Sequence, residues 1–148
     1  MSESPNPGPQ RVTRTAQLFN ESYAGSAPAP WDIGRPQPAF LDLARTGGLI
    51  GRVLDVGCGT GEHALLAASL GHETLGVDFA PRAIELATQK AAVRGIEATF
   101  RVFDALRLPE LDALFDTVVD CGLFHVFDDE QCHRFVDGLA LVVRPGGR

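Results

Sequence analysis

The fold of this chain is decided by residues 52–63, which read Arg52-Val53-Leu54-Asp55-Val56-Gly57-Cys58-Gly59-Thr60-Gly61-Glu62-His63. A short apolar, β-branched run is followed by three alternate glycines and then by a helix-forming segment. This order predicts a buried strand, a tight turn and the start of a helix. Glycine permits positive φ and a close approach of the backbone to a ligand, and the first N–H groups of a helix attract an acidic group. The stretch therefore predicts a nucleotide-like ligand at the carboxyl end of a first strand.

The spacing of the glycines argues against two common nucleotide-binding loops. The dinucleotide fingerprint needs its third glycine at position 62, where this chain has Glu62. No Lys-Ser or Lys-Thr pair follows the loop, so the loop is not a P-loop. An NAD-dependent oxidoreductase is therefore disfavoured. The pattern is instead acid-x-Gly-x-Gly-x-Gly, which runs from Asp55 to Gly61.

Length and composition are those of one ordinary globular domain. The chain has 148 residues, of which 45% are hydrophobic and 22% are charged. A net charge of −6 argues against a nucleic-acid partner, and no apolar stretch is long enough to span a membrane. The first residues show no basic region followed by an apolar one, so secretion is not expected. Cys58, Cys121 and Cys132 form no Cys-x-x-Cys pair, which indicates a cytoplasmic protein without a metal site.

Strand and helix patterns alternate along most of the chain. Residues 1–35 are expected to form a flexible tail and an arm in which prolines hold Trp31, either as a surface anchor or as a wall of the site. Residues 36–148 are expected to form the ligand-binding domain. Strands are predicted at 52–56, 73–78, 98–103 and 115–120, helices at 36–45, 61–70, 81–94 and from 128, and a loop at 105–114. This alternation predicts an α/β, Rossmann-like parallel sheet with helices on both faces.

Candidate site residues follow the strands at one predicted edge of the sheet. Asp78 could accept hydrogen bonds from the hydroxyls of a ribose, or could cap the helix that starts near Pro81. Phe79 offers a flat face for a base, or packs in the core. His125 follows the fourth strand and is the candidate general base, because imidazole exchanges a proton near neutral pH; a structural histidine is the alternative. Asp128 and Gln131 have the spacing of a capping box.

These segments together resemble the class I S-adenosylmethionine-dependent methyltransferases. Five elements match in order, at residues 53–61, 76–78, 104–105, 115–120 and 141–147. Two further segments, residues 30–38 and 122–129, are similar to the actinobacterial small-molecule methyltransferases of the thiopurine and heterocyclic-toxin type. The resemblance implies S-adenosylmethionine as cofactor and methyl transfer to an N, O or S atom of a small molecule. The alternative is a module that binds this cofactor or its demethylated product without catalysis.

The resemblance also implies the roles of particular residues. Asp104 and Ala105 would contact the adenine of the cofactor, and the turn at Asp120 and Cys121 would meet its methionine ammonium group. The residues expected to bind the cofactor are Trp31, Asp55, Gly57, Cys58, Gly59, Gly61, Asp78, Phe79, Asp104, Ala105, Asp120 and Cys121.

The class I fold has seven strands in the order 3-2-1-4-5-7-6, and only the first four match here. We therefore expect a C-terminally truncated methyltransferase that lacks strands five to seven. Strand four would then present an unpaired apolar edge, which predicts a homodimer formed through that edge.

Overall fold

Residues 17–148 are described by a computed structural model, and they form a four-stranded parallel sheet. The strands are β1 (Val53–Val56), β2 (Thr74–Asp78), β3 (Thr99–Val102) and β4 (Thr117–Asp120), in the spatial order β3-β2-β1-β4. In the register, Val56 lies beside Val77 of β2 and Asp120 of β4, so the strands end together at one edge. The predicted parallel α/β fold is confirmed. The expected tail at residues 1–10, and the arm as far as residue 16, lie outside the described residues.

Four α-helices connect and flank these strands, and residues 17–22 are also helical. They are α1 (Pro38–Arg45), α2 (Glu62–Ser69), α3 (Pro81–Arg94) and α4 (Asp129–Val142). Asp128 and Gln131 form the predicted capping box at the start of α4, with both reciprocal hydrogen bonds present. Within residues 17–148, every helix is too short or too polar to cross a membrane.

The main core lies between the sheet, α4 and a short 3-10 helix at Ala105–Leu111. It contains Phe115 and Phe135, both almost fully buried, and Leu108. The sequence predicts a loop at residues 105–114, and that prediction is wrong at its start. The segment winds into a 3-10 helix because its leucines face the core and Asp104 accepts a hydrogen bond from the N–H of Leu106.

The outer edge of β4 is partly paired, contrary to the sequence-based expectation of a bare apolar edge. Residues 142–148 run alongside it, and Phe115 forms a parallel bridge with Val143. Further along, the N–H of Val118 donates to the carbonyl of Arg148 at 2.8 Å. Phe115 is buried and Val118 is half-buried, so the predicted apolar exposure is small. The prediction missed the pairing of residues 142–148 with β4 because it treated residues 144–147 only as a turn.

Candidate functional site

A cleft of about 410 Å³ opens at the carboxyl ends of β1, β2 and β4. Its floor is the glycine loop at residues 57–61, which joins β1 to α2. One wall is formed by residues 78–79 after β2, and another by residues 121–126 after β4. Residues of the N-terminal arm, between 19 and 37, line the remaining side. The cleft therefore lies where parallel α/β sheets commonly bind ligands.

Two of the three loop glycines are required by packing. Gly57 and Gly61 both have left-handed backbone angles, with φ of 68° and 88°. A Cβ added to Gly57 would lie 2.9 Å from the Leu123 side chain, and one added to Gly61 would lie 2.8 Å from the Phe100 ring. These contacts are shorter than real side chains allow. Packing inside the protein therefore requires glycine at both positions, whether or not a ligand binds.

Gly59 is different because it faces the cleft and the arm. Its φ is 54°, and the nearest atom to an added Cβ is the Tyr23 hydroxyl oxygen at 3.1 Å. That oxygen accepts a hydrogen bond from Trp31 Nε1 at 2.8 Å. Burial raises the pKa of Tyr23 to about 12, so the hydroxyl keeps its proton at neutral pH. Among the hydrogen bonds of residues 17–148, none uses this proton, which leaves Tyr23 as a free donor beside the loop.

Asp78 lies at the end of β2 and connects the glycine loop to the segment that follows β2. Its Oδ2 accepts the N–H of Gly59 and its Oδ1 accepts the N–H of Ala80, each at 2.9 Å. Burial raises the pKa of this carboxyl, and the two N–H donors oppose that rise. The neighbouring Phe79 ring packs edge-on against Phe19 at 5.7 Å. Asp78 thus joins the glycine loop to the segment before α3 and also lines the cleft, whereas the N-terminus of α3 has no side-chain cap.

A part-buried polar network fixes the arm to the glycine loop. Asp32 accepts a hydrogen bond from the Thr60 hydroxyl at 2.5 Å, and Lys90 donates to Thr60 at 2.7 Å and to Glu62 at 2.8 Å. Arg94 adds two hydrogen bonds to the Glu62 carboxylate, both at 2.9 Å. Burial alone would raise the pKa of Glu62, but the cationic donors lower it below its usual range. Glu62 is therefore an ionised structural residue.

Two histidines line the cleft in different ways. His63 Nε2 accepts the backbone N–H of Gln37 at 3.1 Å, and its ring lies 4.3 Å from that of Phe40. Burial lowers the pKa of His63, which favours the neutral acceptor form that this hydrogen bond needs. His125 is exposed on the opposite wall. The sequence predicted a single histidine on this rim, and the structure places two there.

Most of the predicted site residues meet in the cleft. Those that line it are Trp31, Gly57, Cys58, Gly59, Gly61, Asp78, Phe79, Cys121 and His125.

The predicted residues outside the lining are Asp55, Asp104, Ala105 and Asp120. All three acids accept backbone hydrogen bonds: Asp55 from Ala64 of α2, Asp104 from Leu106, and Asp120 from Leu123 and Phe124. Asp104 is half-buried and its Oδ1 accepts the N–H of Leu106, and its expected contact with the adenine stays a prediction.

Sequence reasoning missed Tyr23, Asp32, Arg35 and His63 as lining residues, and Lys90 as a residue that touches the loop. Asp32 and Arg35 belong to the same proline-rich segment as Trp31, so that segment was the available signal. Lys90 gave no signal, because it contacts Thr60 from 30 residues further along the chain.

A protein family described as "Methyltransferase domain" matches residues 53–147. The chain belongs to this family. This methyltransferase domain is 40% identical over 136 residues to 2-heptyl-1-hydroxyquinolin-4(1H)-one methyltransferase of Mycobacteroides abscessus, covering 87% of the chain and 60% of that protein.

Two solved structures extend the comparison. One comes from work on "Conversion of a Disulfide Bond into a Thioacetal Group during Echinomycin Biosynthesis" and is 44% identical, with a TM-score of 0.84 over 90% of this chain and 57% of the other. The other is the N-methyltransferase NodS of Bradyrhizobium japonicum with bound S-adenosyl-L-homocysteine. It is 25% identical, with a TM-score of 0.74 over 90% of this chain and 69% of the other.

The methyltransferase domain thus spans about 60% of the length of its curated relative. Residues 53–61 and the strand ends predicted a class I S-adenosylmethionine-dependent methyltransferase. The comparisons confirm this family, its fold and the cofactor that the family uses.

Proposed function

We propose that this methyltransferase domain binds S-adenosylmethionine in the cleft and that the protein transfers a methyl group to an N, O or S atom of a small molecule. The observation that carries the proposal is the convergence of Gly59, Asp78 and Trp31 on one cleft at the carboxyl edge of the sheet. The curated relative that acts on a hydroxyquinolone supports a small-molecule acceptor.

The residues of the cleft fit this cofactor. Gly59 adopts a left-handed conformation and lines the cleft, so its backbone could approach a ligand closely. Each Asp78 oxygen accepts only one hydrogen bond, so each retains a lone pair for a ribose hydroxyl. Phe79 would pack against the adenine, and the free Tyr23 hydroxyl would donate to a polar atom of the ligand. The cofactor supplies a methyl group on a positively charged sulfur.

The remaining surfaces of the cleft would hold and shield the acceptor. Trp31, Ile33 and Val126 offer apolar area there, and the arm covers the loop and limits the entry of water. Alignment of two reactants in this way can lower a barrier by about 7 to 11 kcal/mol at its upper limit. His125 lines the cleft, which supports its role as the general base that a neutral acceptor would use.

We further propose a cytoplasmic protein that does not use nucleic acid as a partner. The net charge of −6 and the unpaired cysteines support this view. The chain would comprise two regions: a tail and arm at residues 1–35 and the cofactor-binding domain at residues 36–148. Two copies would associate through the part of β4 that residues 142–148 leave unpaired.

Two measurements test the function. Calorimetry with S-adenosylhomocysteine should show binding, whereas NAD should show none. A radiolabelled methyl-transfer assay on a panel of phenols, thiols and heterocyclic amines should then show transfer to at least one acceptor. Cofactor binding without any transfer would instead favour a non-catalytic binding module, and the absence of cofactor binding would overturn the proposal.

A further inference from the structure

Arg35 is the only arginine or lysine among the described residues that line the cleft. Within residues 17–148 its guanidinium forms no salt bridge with an acidic side chain, whereas seven other arginines and lysines do. It is exposed to the cleft and to solvent. An arginine carries five N–H donors and a permanent charge, and it binds carboxylates and other oxyanions in preference to neutral groups.

The acids of the cleft do not compensate the charge of Arg35, because each is engaged elsewhere. Asp32 accepts from the Thr60 hydroxyl, and its other oxygen accepts the N–H of Gly34 at 2.9 Å. The carboxylate of Glu62 is shared by Lys90 and Arg94, and Asp78 accepts from two backbone N–H groups. Of the charged side chains that line the cleft within residues 17–148, Arg35 is thus the one without a hydrogen-bonded or ionic partner in the protein.

The backbone on each side of Arg35 is anchored to the glycine loop or to the helix that follows it. On one side, the Asp32 carboxylate joins the N–H of Gly34 to the hydroxyl of Thr60. On the other side, the N–H of Gln37 donates to His63. Because burial lowers the pKa of His63, this neighbour is neutral and adds no second positive charge. The backbone that carries Arg35 is therefore held at one place on the rim.

We propose that Arg35 binds an anionic group of the methyl acceptor, so that the acceptor class is acidic: a phenol, an N-hydroxy heterocycle or a thiol that binds in its ionised form. This inference rests on the proposed function and identifies the substrate class of the same cleft. An ionised acceptor already carries the lone pair that attacks a methyl group, and it needs no general base. A fixed cation beside the acceptor lowers its pKa and raises the ionised fraction at neutral pH.

The experiment compares the wild type with Arg35→Met, Arg35→Lys and the control Arg45→Met. Arg45 is exposed on α1 and does not line the cleft. The first arm measures S-adenosylhomocysteine alone by calorimetry, and all four proteins should bind it with the same affinity within about twofold. The second arm adds nitrophenols and nitrothiophenols to the complex with S-adenosylhomocysteine and follows the absorbance of their anions across pH. Their methyl ethers and thioethers serve as uncharged probes.

In the wild type, at least one acidic probe should bind more tightly than its methyl ether and show a lowered pKa. Arg35→Met should weaken that binding at least about tenfold and abolish the pKa shift, since a hydrogen bond to a charged group is lost. Arg35→Lys should restore part of both effects, and Arg45→Met should match the wild type.

Three results would separate the possible failures. No binding of S-adenosylhomocysteine to the wild type would overturn the proposed function itself. Normal binding of it, with no preference for any acidic probe over its methyl ether, would overturn only the role of Arg35. A tenfold loss of S-adenosylhomocysteine affinity in Arg35→Met would show that Arg35 holds the carboxylate of the cofactor, and this result also overturns the inference.

Discussion

At the scale of single residues, Asp78 links the glycine loop to the end of β2 and presents its remaining lone pairs to the cleft. We predict that Asp78→Ala binds S-adenosylhomocysteine at least about 100-fold more weakly, because two hydrogen bonds to a charged group of about 1.5 to 3 kcal/mol each are lost. Calorimetry measures the loss, with circular dichroism as a check of the fold. Asp137→Ala, on the exposed face of α4, is the control. Unchanged affinity in a folded Asp78→Ala variant would remove this residue from the site.

Gly59 and Gly95 form a matched pair for testing the loop. Both have left-handed backbone angles, with φ of 54° and 64°, so alanine should cost each position a similar strain of about 1 to 2 kcal/mol. An added Cβ at Gly95 meets nothing within 4 Å, whereas one at Gly59 enters the cleft near Tyr23. We predict similar losses of melting temperature for the two alanine variants. Only Gly59→Ala should lose cofactor affinity, by at least about tenfold.

Calorimetry and thermal unfolding of both glycine variants test this prediction. Equal affinities for S-adenosylhomocysteine in Gly59→Ala and Gly95→Ala would mean that the loop is only a structural turn.

Asp55 predicts a pH dependence of stability. It is 1% exposed in β1, and burial raises its pKa from 3.8 to about 8, against the hydrogen bond from Ala64. The native protein therefore holds a proton between about pH 4 and pH 8 that the unfolded chain has released, so the free energy of unfolding decreases as pH rises through this window. Asp55→Asn keeps the size and the acceptor for Ala64 but does not ionise. We predict a flatter pH profile for this variant and higher stability than the wild type near pH 8.

Urea unfolding of both proteins across this window measures the difference, with Asp137→Asn as an exposed control. If Asp55→Asn keeps the wild-type slope, another group is responsible for the pH dependence.

At the scale of elements, the arm is held on the loop by the contacts of Lys90 on α3. Its Nζ donates to Thr60 and Glu62 and lies 3.9 Å from Asp32. We predict that Lys90→Met loosens the arm, because it leaves Asp32 in a part-buried position without its cation. The emission of the single tryptophan, Trp31, should shift to longer wavelength, and affinity for S-adenosylhomocysteine should fall about tenfold.

Arg82→Met on the same helix is the matched control. Arg82 pairs with Glu85 on the exposed surface, and such a pair contributes about 1 kcal/mol at most. Its variant should therefore behave as the wild type in emission and affinity. Identical behaviour of Lys90→Met and Arg82→Met would show that the network does not control the arm.

At the scale of the whole molecule, the two outer edges of the sheet differ. The edge of β4 is paired with residues 142–148 as far as Val118, whereas β3 has a neighbour only on the side of β2 among the residues that the structure describes. A homodimer through β4 would use only the last residues, Val119 and Asp120. We therefore predict a weak association, in which the mass measured by light scattering increases with concentration over about 1 to 100 µM.

Hydrogen exchange locates the contact. The amide of Asp120, which points away from β1, should exchange more slowly at high concentration, and those of β3 should not change. A constant monomer mass, or slower exchange at β3 instead, would contradict pairing through β4.

The sequence by itself determined the elements and the centre of the site. Residues 52–63 specify strand, turn and helix through local patterns, and Asp78 follows from its place at the end of a strand. Such features depend on neighbours a few residues apart, because strand periodicity, helix caps and left-handed glycines are local properties. The strand order β3-β2-β1-β4 could also be predicted, because the class I methyltransferases that the motifs resemble share one strand order.

The tertiary structure alone decided which side chains complete the cleft. Tyr23 approaches Gly59, Gln37 reaches His63 and Lys90 reaches Thr60 across 26 to 36 residues, and no local spacing encodes such pairs. The same holds for the paired edge of β4, where hydrogen bonds join Val118 to Arg148. Contacts of this range form only when packing of the core brings distant segments together. The loop and several wall residues, among them Trp31 and His125, were therefore predictable from the sequence, whereas the contacts that hold the arm against the loop were not.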